Sequence, residues 1–294
     1  MDIKKDFNKS FNELKKNKVI IVPILISMII PLLLVYTYMH ITGFYGLLSD
    51  SANDIRQGGN GLVNTENVRE IFTLESFAWL MVFILIGSII LFYLSCVSLA
   101  LITLNVLKKE LNFHNMIDLA NKYLFKFLTL NVLMFLIMMA PVLAVVIIII
   151  LLFIISKTIG VISIIFSIIL IISYIIFIFL RLFFVSPIMF IENKSATKSI
   201  AFSYQITKHH LRQVLIIFAI MIGITIISNI FITNPLNESY MSFIASDSLL
   251  KSIAMVILIL IFIIIESFVY ALEQLFLFYS YVDFRREVKL RTKD

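Results

Sequence analysis

Cysteine occurs once in the 294 residues, at Cys96, so no disulfide forms within the chain and cysteine usage reports no redox compartment. Histidine is also scarce. His40 and His114 lie on different segments, and the neighbours His209 and His210 would diverge by about 100° on a helix, so no metal-ligand cluster emerges. The adjacent pair reads as solvated side chains near headgroups. A nucleophile elbow, a zinc-binding His-Glu-x-x-His, a phosphate loop and a dinucleotide fingerprint are all missing. No catalytic, cofactor-binding or metal-binding residue is assigned, and no cofactor is expected. Charge is sparse as well, at 14% of residues against 61% hydrophobic, with a mean hydropathy of +1.05. Those values exclude a water-soluble globule.

What is abundant is long apolar sequence. Six stretches, Val19 to Met39, Phe77 to Leu104, Phe127 to Ile155, Val161 to Phe184, Val214 to Thr233 and Ile253 to Tyr279, approach or exceed the ~20 residues that cross hydrocarbon. The basic flank of the first resembles a signal peptide, but its apolar run is too long for one and is expected to stay as a helix. Lysine and arginine crowd into alternate connections. Lys4, Lys5, Lys9, Lys15, Lys16 and Lys18 precede the first span, and Lys108, Lys109, Lys122 and Lys126 separate the second from the third. Lys194, Lys198, Lys208 and Arg212 separate the fourth from the fifth, and Arg285, Arg286, Lys289, Arg291 and Lys293 follow the sixth. The opposite side carries only Arg56, Arg69, Lys157 and Lys251. Because cationic loops stay inside, both termini are expected in the cytoplasm.

The expected fold is therefore all-α: a polytopic transmembrane bundle of six helices, N-in and C-in, with short amphipathic interfacial helices. Residues 1–18 form a cytoplasmic amphipathic segment, 19–284 the membrane domain and 285–294 a basic tail. External loops fall at about 41–76, 156–160 and 234–252, cytoplasmic ones at about 105–126 and 191–213. The net charge of +6 is then a topology signal, attracted secondarily to anionic headgroups of the cytoplasmic leaflet, and not a nucleic-acid footprint.

Three cytoplasmic segments share a pattern. Ile3, Phe7, Phe11 and Leu14 recur at helical spacing, as do Met116, Leu119, Ala120, Tyr123 and Phe127 and, more loosely, Ile200, Tyr204 and Leu211. Each reads as a surface helix with its apolar face toward lipid. Either the chain repeats a unit of surface helix plus hairpin, or any basic segment entering a membrane looks this way. Pro23, Pro31 and Pro141 are expected to bend their spans. Trp79, Tyr36 and Tyr38 outside, and Tyr279, Tyr281 and Phe284 inside, read as interfacial belts. Ala140 with Ala144, and Ala219 with Gly223, are spaced for close helix contact. Outside, Gly58, Gly59 and Gly61 read as a turn before Glu66, Glu70 and Glu75, and Asn237-Glu238-Ser239 is a glycosylation tripeptide.

Charges inside apolar spans are the functional candidates, because a charge in hydrocarbon costs a few kcal/mol and seldom persists without a partner or cavity. Arg181, Glu266 and Glu273 qualify. Arg181 lies about 20 residues from Val161 and Glu273 about 20 from Ile253, which places both near one depth at ~1.5 Å per residue. A bridge between the fourth and sixth helices follows, with Glu266 on the same face as Glu273 and either protonated or bonded to Ser228 or Tyr174. The competing reading makes Glu266 a proton or cation site in an internal polar pathway.

The stretch Arg181, Pro187, Ile191-Glu192-Asn193-Lys194-Ser195, Ser199-Ile200-Ala201-Phe202-Ser203-Tyr204 and Thr207-Lys208 resembles the arginine, proline, glutamate, small residue, Ala-x-x-Ser pattern of a prokaryotic group of six-helix integral membrane proteins. That group includes the glycerophosphoryl diester phosphodiesterase membrane domain and related uncharacterised families. After Asp283 the 294 residues hold only a short basic tail and no catalytic barrel, so the resemblance implies a membrane module without phosphodiester hydrolysis. It also offers Glu192 as a second partner for Arg181 across the bend near Pro187. The function expected is a non-enzymatic module of a prokaryotic cell membrane that associates with lipids or a membrane-protein partner. A small-solute or lipid transporter using Glu266 and Glu273 is the alternative, and a membrane-embedded lipid-processing enzyme the third reading.

Overall fold

In a computed structural model the described residues are 3–44, 73–230 and 249–291. The glycine cluster at Gly58, the carboxylates Glu66 and Glu70, and the Asn237 tripeptide lie outside them. Among the described residues the chain is all-α, with no strand. The helices are α1 (Ile3–Lys16), α2 (Ile21–Ile41), α3 (Leu74–Val106), α4 (Phe113–Ile155), α5 (Lys157–Arg181), α6 (Val185–Glu192), α7 (Ala196–His209), α8 (Leu211–Ser228) and α9 (Leu249–Arg291). Six segments are long and apolar enough to cross a membrane: Lys18–Ile41, Leu74–Val106, Phe113–Ile155, Lys157–Glu192, Leu211–Ser228 and Val256–Arg286. Each overlaps one of the six stretches read from hydropathy. The chain is thus built as a multi-pass membrane protein.

Contacts divide it into two compact units, one comprising Met1–Ser10, Leu99–Ile222 and Gln274–Asp294, the other Phe11–Ser98 and Gly223–Glu273. In the first unit α4 and α5 form a long hairpin. Ser156 has extended backbone (φ −158°, ψ 127°), ending α4 and starting α5. A Cβ on Gly160 would lie only 2.5–2.7 Å from ring carbons of Phe153, so the turn closes on a glycine. Along the hairpin, Tyr174 donates to the Ile137 carbonyl at 2.7 Å. Over residues 131–155 of α4 and 161–179 of α5 no residue is buried, and Ile147, Ile154, Ile165 and Phe166 are among the many exposed. Such continuous apolar surface has lipid as its natural solvent.

At the other end of this unit sits a dense core of Phe184, Ile188, Val214, Ile217, Phe276, Tyr281 and Phe284, all fully buried. Tyr279, Tyr281 and Phe284, expected at an interface, are core residues: the two tyrosine hydroxyls find partners inside, Tyr279 donating to Asn105 Oδ1 at 3.1 Å, and Phe284 packs on Phe184. His210 likewise packs edge-on against Phe284, at 4.7 Å between centroids, instead of standing in solvent.

The amphipathic segments also differ from expectation. Met116 to Phe127 is not a separate helix but the start of the 43-residue α4, and Met116, Ala120, Tyr123 and Phe127 are buried against protein. On α1 the apolar side faces protein too, with Phe7 edge-on to Phe276 at 5.9 Å in the first unit and Phe11 edge-on to Phe268 at 6.0 Å in the second. α7 buries a different face, formed by Ala196, Ser199, Ser203, Ile206 and Thr207. Its Tyr204 and Leu211 at the start of α8 stay exposed.

In the second unit α2 lies against α3, and a Cβ on Gly87 would come within 2.9 Å of Leu34 Cδ1, which shows how closely they approach. An apolar groove of about 270 Å³ runs between Pro31, Leu34 and Tyr38 on one side and Phe83, Gly87 and Leu91 on the other. Both α2 and α4 continue through Pro31 and Pro141. The small pairs do not serve the expected contacts: Ala140, Ala144 and Ala219 are exposed, and a Cβ on Gly223 meets nothing within 4 Å.

Candidate functional site

The site is built around a break in the fourth span. Pro187 has no N–H to offer the Phe183 carbonyl four residues earlier, and its ring would clash there, so the helix stops at Arg181 and restarts as α6 at Val185. Val185 N–H bonds the Leu182 carbonyl at 3.1 Å, which leaves the Arg181 carbonyl without its usual partner from the next turn. Two hydroxyls one turn apart on α7 fill the gap. Ser203 Oγ and Thr207 Oγ1 donate to that carbonyl at 2.9 and 3.1 Å, and Phe184 N–H donates to Ser203 Oγ at 3.3 Å. The buried hydroxyl face of α7 is thus explained by the proline one element earlier.

Beyond α6 the chain turns on Asn193, at φ +55°, a left-handed position that asparagine tolerates better than most residues. The turn carries a charge knot. Glu192, with only 5% of its side chain exposed, receives Lys194 Nζ at 2.9 Å on Oε2 and Arg285 Nε at 3.0 Å on Oε1. Tyr281 Oη also donates to Oε1. Lys194 in turn lies over the Phe202 ring. Lys126 donates to Asn193 Oδ1 at 2.8 Å, Tyr123 donates to the Phe190 carbonyl at 3.2 Å, and Lys9 sits 4.0 Å from the centroid of Tyr279. Residues from all four cation-rich segments therefore meet at one end of the first unit.

Arg181 stands apart from this knot. Its guanidinium lies 5.0 Å from the Phe177 ring and 5.2 Å from the Tyr204 ring, and among the described residues no acceptor reaches its buried Nε or Nη1. The expected Arg181–Glu192 pair is corrected: within their unit, Lys194 and Arg285 occupy the carboxylate first. The motif's arginine and glutamate do different work, one over aromatic rings and one tying α6 to α9.

The other two candidates, Glu266 and Glu273, belong to the second unit. Ser228 Oγ donates to Glu266 Oε1 at 2.9 Å, and Thr225 Oγ1 donates to Glu273 Oε1 at 2.7 Å. Tyr174, the other hydroxyl offered for Glu266, is engaged in the α4–α5 hairpin. Each carboxylate thus takes one hydroxyl from α8, pinning α8 to α9 in antiparallel register. Ser267, next to Glu266, turns its own hydroxyl to Ile263 O at 2.6 Å and to Met28 Sδ at 3.3 Å. Among the described residues no group of three or more His, Cys, Asp and Glu side chains converges as a metal site.

Sequence reasoning missed Tyr281, Arg285, Ser203 and Thr207 as members of the site. The sequence holds a signal for Arg285, since its segment and that of Glu192 both belong to the cation-rich set expected on one side of the membrane. No protein-family model, curated protein or solved structure matches the chain.

Proposed function

We propose that this is a non-enzymatic membrane module of a prokaryotic cell membrane, with both termini cytoplasmic, that associates with anionic lipid headgroups or a membrane-protein partner and binds no nucleic acid. The observation carrying this reading is the meeting of Lys9, Lys126, Lys194 and Arg285 at one end of the first unit, beside largely uncovered apolar hairpin surface. A cationic end next to a lipid-solvated body attracts anionic headgroups, by about 1 kcal/mol for each surface cation that Glu192 does not already hold. The acid at the centre of that end is spent on internal ion pairs, which suits a structural part better than proton transfer. The arginine-proline-glutamate stretch supports membership of the prokaryotic six-helix group described above.

Native mass spectrometry of the gently extracted protein tests this reading. Retained anionic phospholipid or a stoichiometric companion is the expected spectrum; a bare chain that hydrolyses phospholipid in vesicles would overturn it. The transporter reading draws on the Ser228–Glu266 and Thr225–Glu273 pairs, polar groups inside otherwise apolar helices. For a structural pair, Glu266→Gln retains the hydroxyl contact and leaves any ion or solute flux across proteoliposomes unchanged. Loss of a measurable flux in that variant would favour transport.

A further inference from the structure

The geometry points to a binding site for a phosphate-class oxyanion at Arg181, between the end of α5 and the exposed side of α7. The inference rests on the lipid-associating reading and names the chemistry of one contact within it. Arg181 is half-buried, and its Nε and Nη1 are fully buried with no acceptor among the described residues. The acceptors that its own unit brings to this break are already committed. Its backbone carbonyl is capped by Ser203 and Thr207, so the guanidinium is not drawn to its own helix end. Glu192 is occupied by Lys194, Arg285 and Tyr281.

The rings of Phe177 and Tyr204 offset only part of what removing an arginine from water costs, because cation–π attraction is weaker than the desolvation of an unpaired charge. What remains is a guanidinium charge unpaired among the described residues; with Nε and Nη1 enclosed, a phosphate oxygen would meet it from the open side of the group, by charge and a single N–H contact. Tyr204 stays 42% exposed, and Lys208, one turn further along α7 on the same face, is exposed as well. A phosphate seated against Tyr204 would meet Arg181 and Lys208 together. A lipid phosphodiester and free inorganic phosphate share this chemistry.

The test uses the full chain, delipidated in mild detergent and titrated in native mass spectrometry with dioleoyl phosphatidylglycerol, with phosphate-free dioleoylglycerol, and with inorganic phosphate. Wild type is expected to bind phosphatidylglycerol and not dioleoylglycerol. Arg181→Gln is expected to weaken that binding about tenfold, the loss of a charge-assisted contact. Tyr204→Leu, at an exposed position that tolerates change, should weaken it several-fold, whereas Lys198→Gln should not. Arg181-dependent binding of inorganic phosphate without the lipid would support the site and assign it to a soluble source. Equal lipid binding by wild type, Arg181→Gln and Tyr204→Leu would overturn the site while leaving the lipid-associating reading intact; failure of wild type to retain any phospholipid or companion would remove both. Rescue of a destabilised Arg181→Glu variant by Glu273→Arg would identify a carboxylate as the partner and also overturn it.

Discussion

Glu192→Ala is expected to destabilise the protein by about 3 kcal/mol, near the lower end of what breaking a buried ion pair costs. The carboxylate is 5% exposed, while Lys194 and Arg285 keep 28% and 35% of their side-chain surface, so water screens the stranded cations in part. Its removal leaves two cations without their anion and the buried Tyr281 hydroxyl without its acceptor, and it unties α6 from α9. Glu192→Gln preserves an acceptor for Tyr281 and should lose less than the alanine variant. Arg285→Ala, with Lys194 still paired, should lose least. Unfolding of the three variants in graded sodium dodecyl sulfate, followed by circular dichroism, checks the order; a Glu192→Ala protein as stable as wild type would mean that the knot ties nothing.

Phe184→Ala is expected to be as damaging, at about 3–5 kcal/mol, because truncating a fully buried aromatic loses its contacts and leaves a cavity. Phe184 is completely inaccessible, stacked on Phe284 at 5.7 Å with an interplanar angle of 26° and tilted against Tyr281 at the same distance. It also sits in the break itself, its N–H held by Ser203. A cavity there loosens α6, α7 and α9 together. The control is Phe166→Ala on the exposed side of α5, where no packed cavity forms and little change is expected in the same denaturation. Equal sensitivity of the two positions would show that the core is not organised around the proline break.

The spans were legible because hydrophobic length alone decides what can cross a bilayer, and all six stretches correspond to observed helices. Continuity was not legible. Met116 to Phe127 alternates apolar and charged residues as a surface helix does, yet no proline or glycine separates it from the third span, and the backbone runs straight on into α4. The direction of an amphipathic face was equally ambiguous, since Phe7 and Phe11 suit lipid and protein alike, and only the rings of Phe276 and Phe268 decide between them. Belt assignment failed at Tyr279, Tyr281 and Phe284 for the same reason: an aromatic ring near a helix end fits either an interface or a core, and here the core offers the two tyrosine hydroxyls acceptors and Phe284 the ring of Phe184.

Depth along a helix was countable from the sequence, but ion-pair choice also depends on helix rotation, which no spacing along one chain supplies. Within its own unit Glu192 took the cations nearest in the fold, Lys194 across the Asn193 turn and Arg285 from the far end of the sequence. Ser203 and Thr207 stand within the arginine-proline-glutamate stretch, yet their role becomes visible only once Pro187 is seen to strand the Arg181 carbonyl.

Thiol labelling of intact cells tests most directly whether six apolar helices cross the membrane with the cationic ends inside. With Cys96 replaced by alanine, a membrane-impermeant maleimide is applied to a Lys5→Cys variant and to an Asn60→Cys variant. Labelling of the Asn60 variant from outside, and of the Lys5 variant only after the cells are opened, is the expected result; labelling of the Lys5 variant in intact cells, or protection of the Asn60 variant, would contradict it.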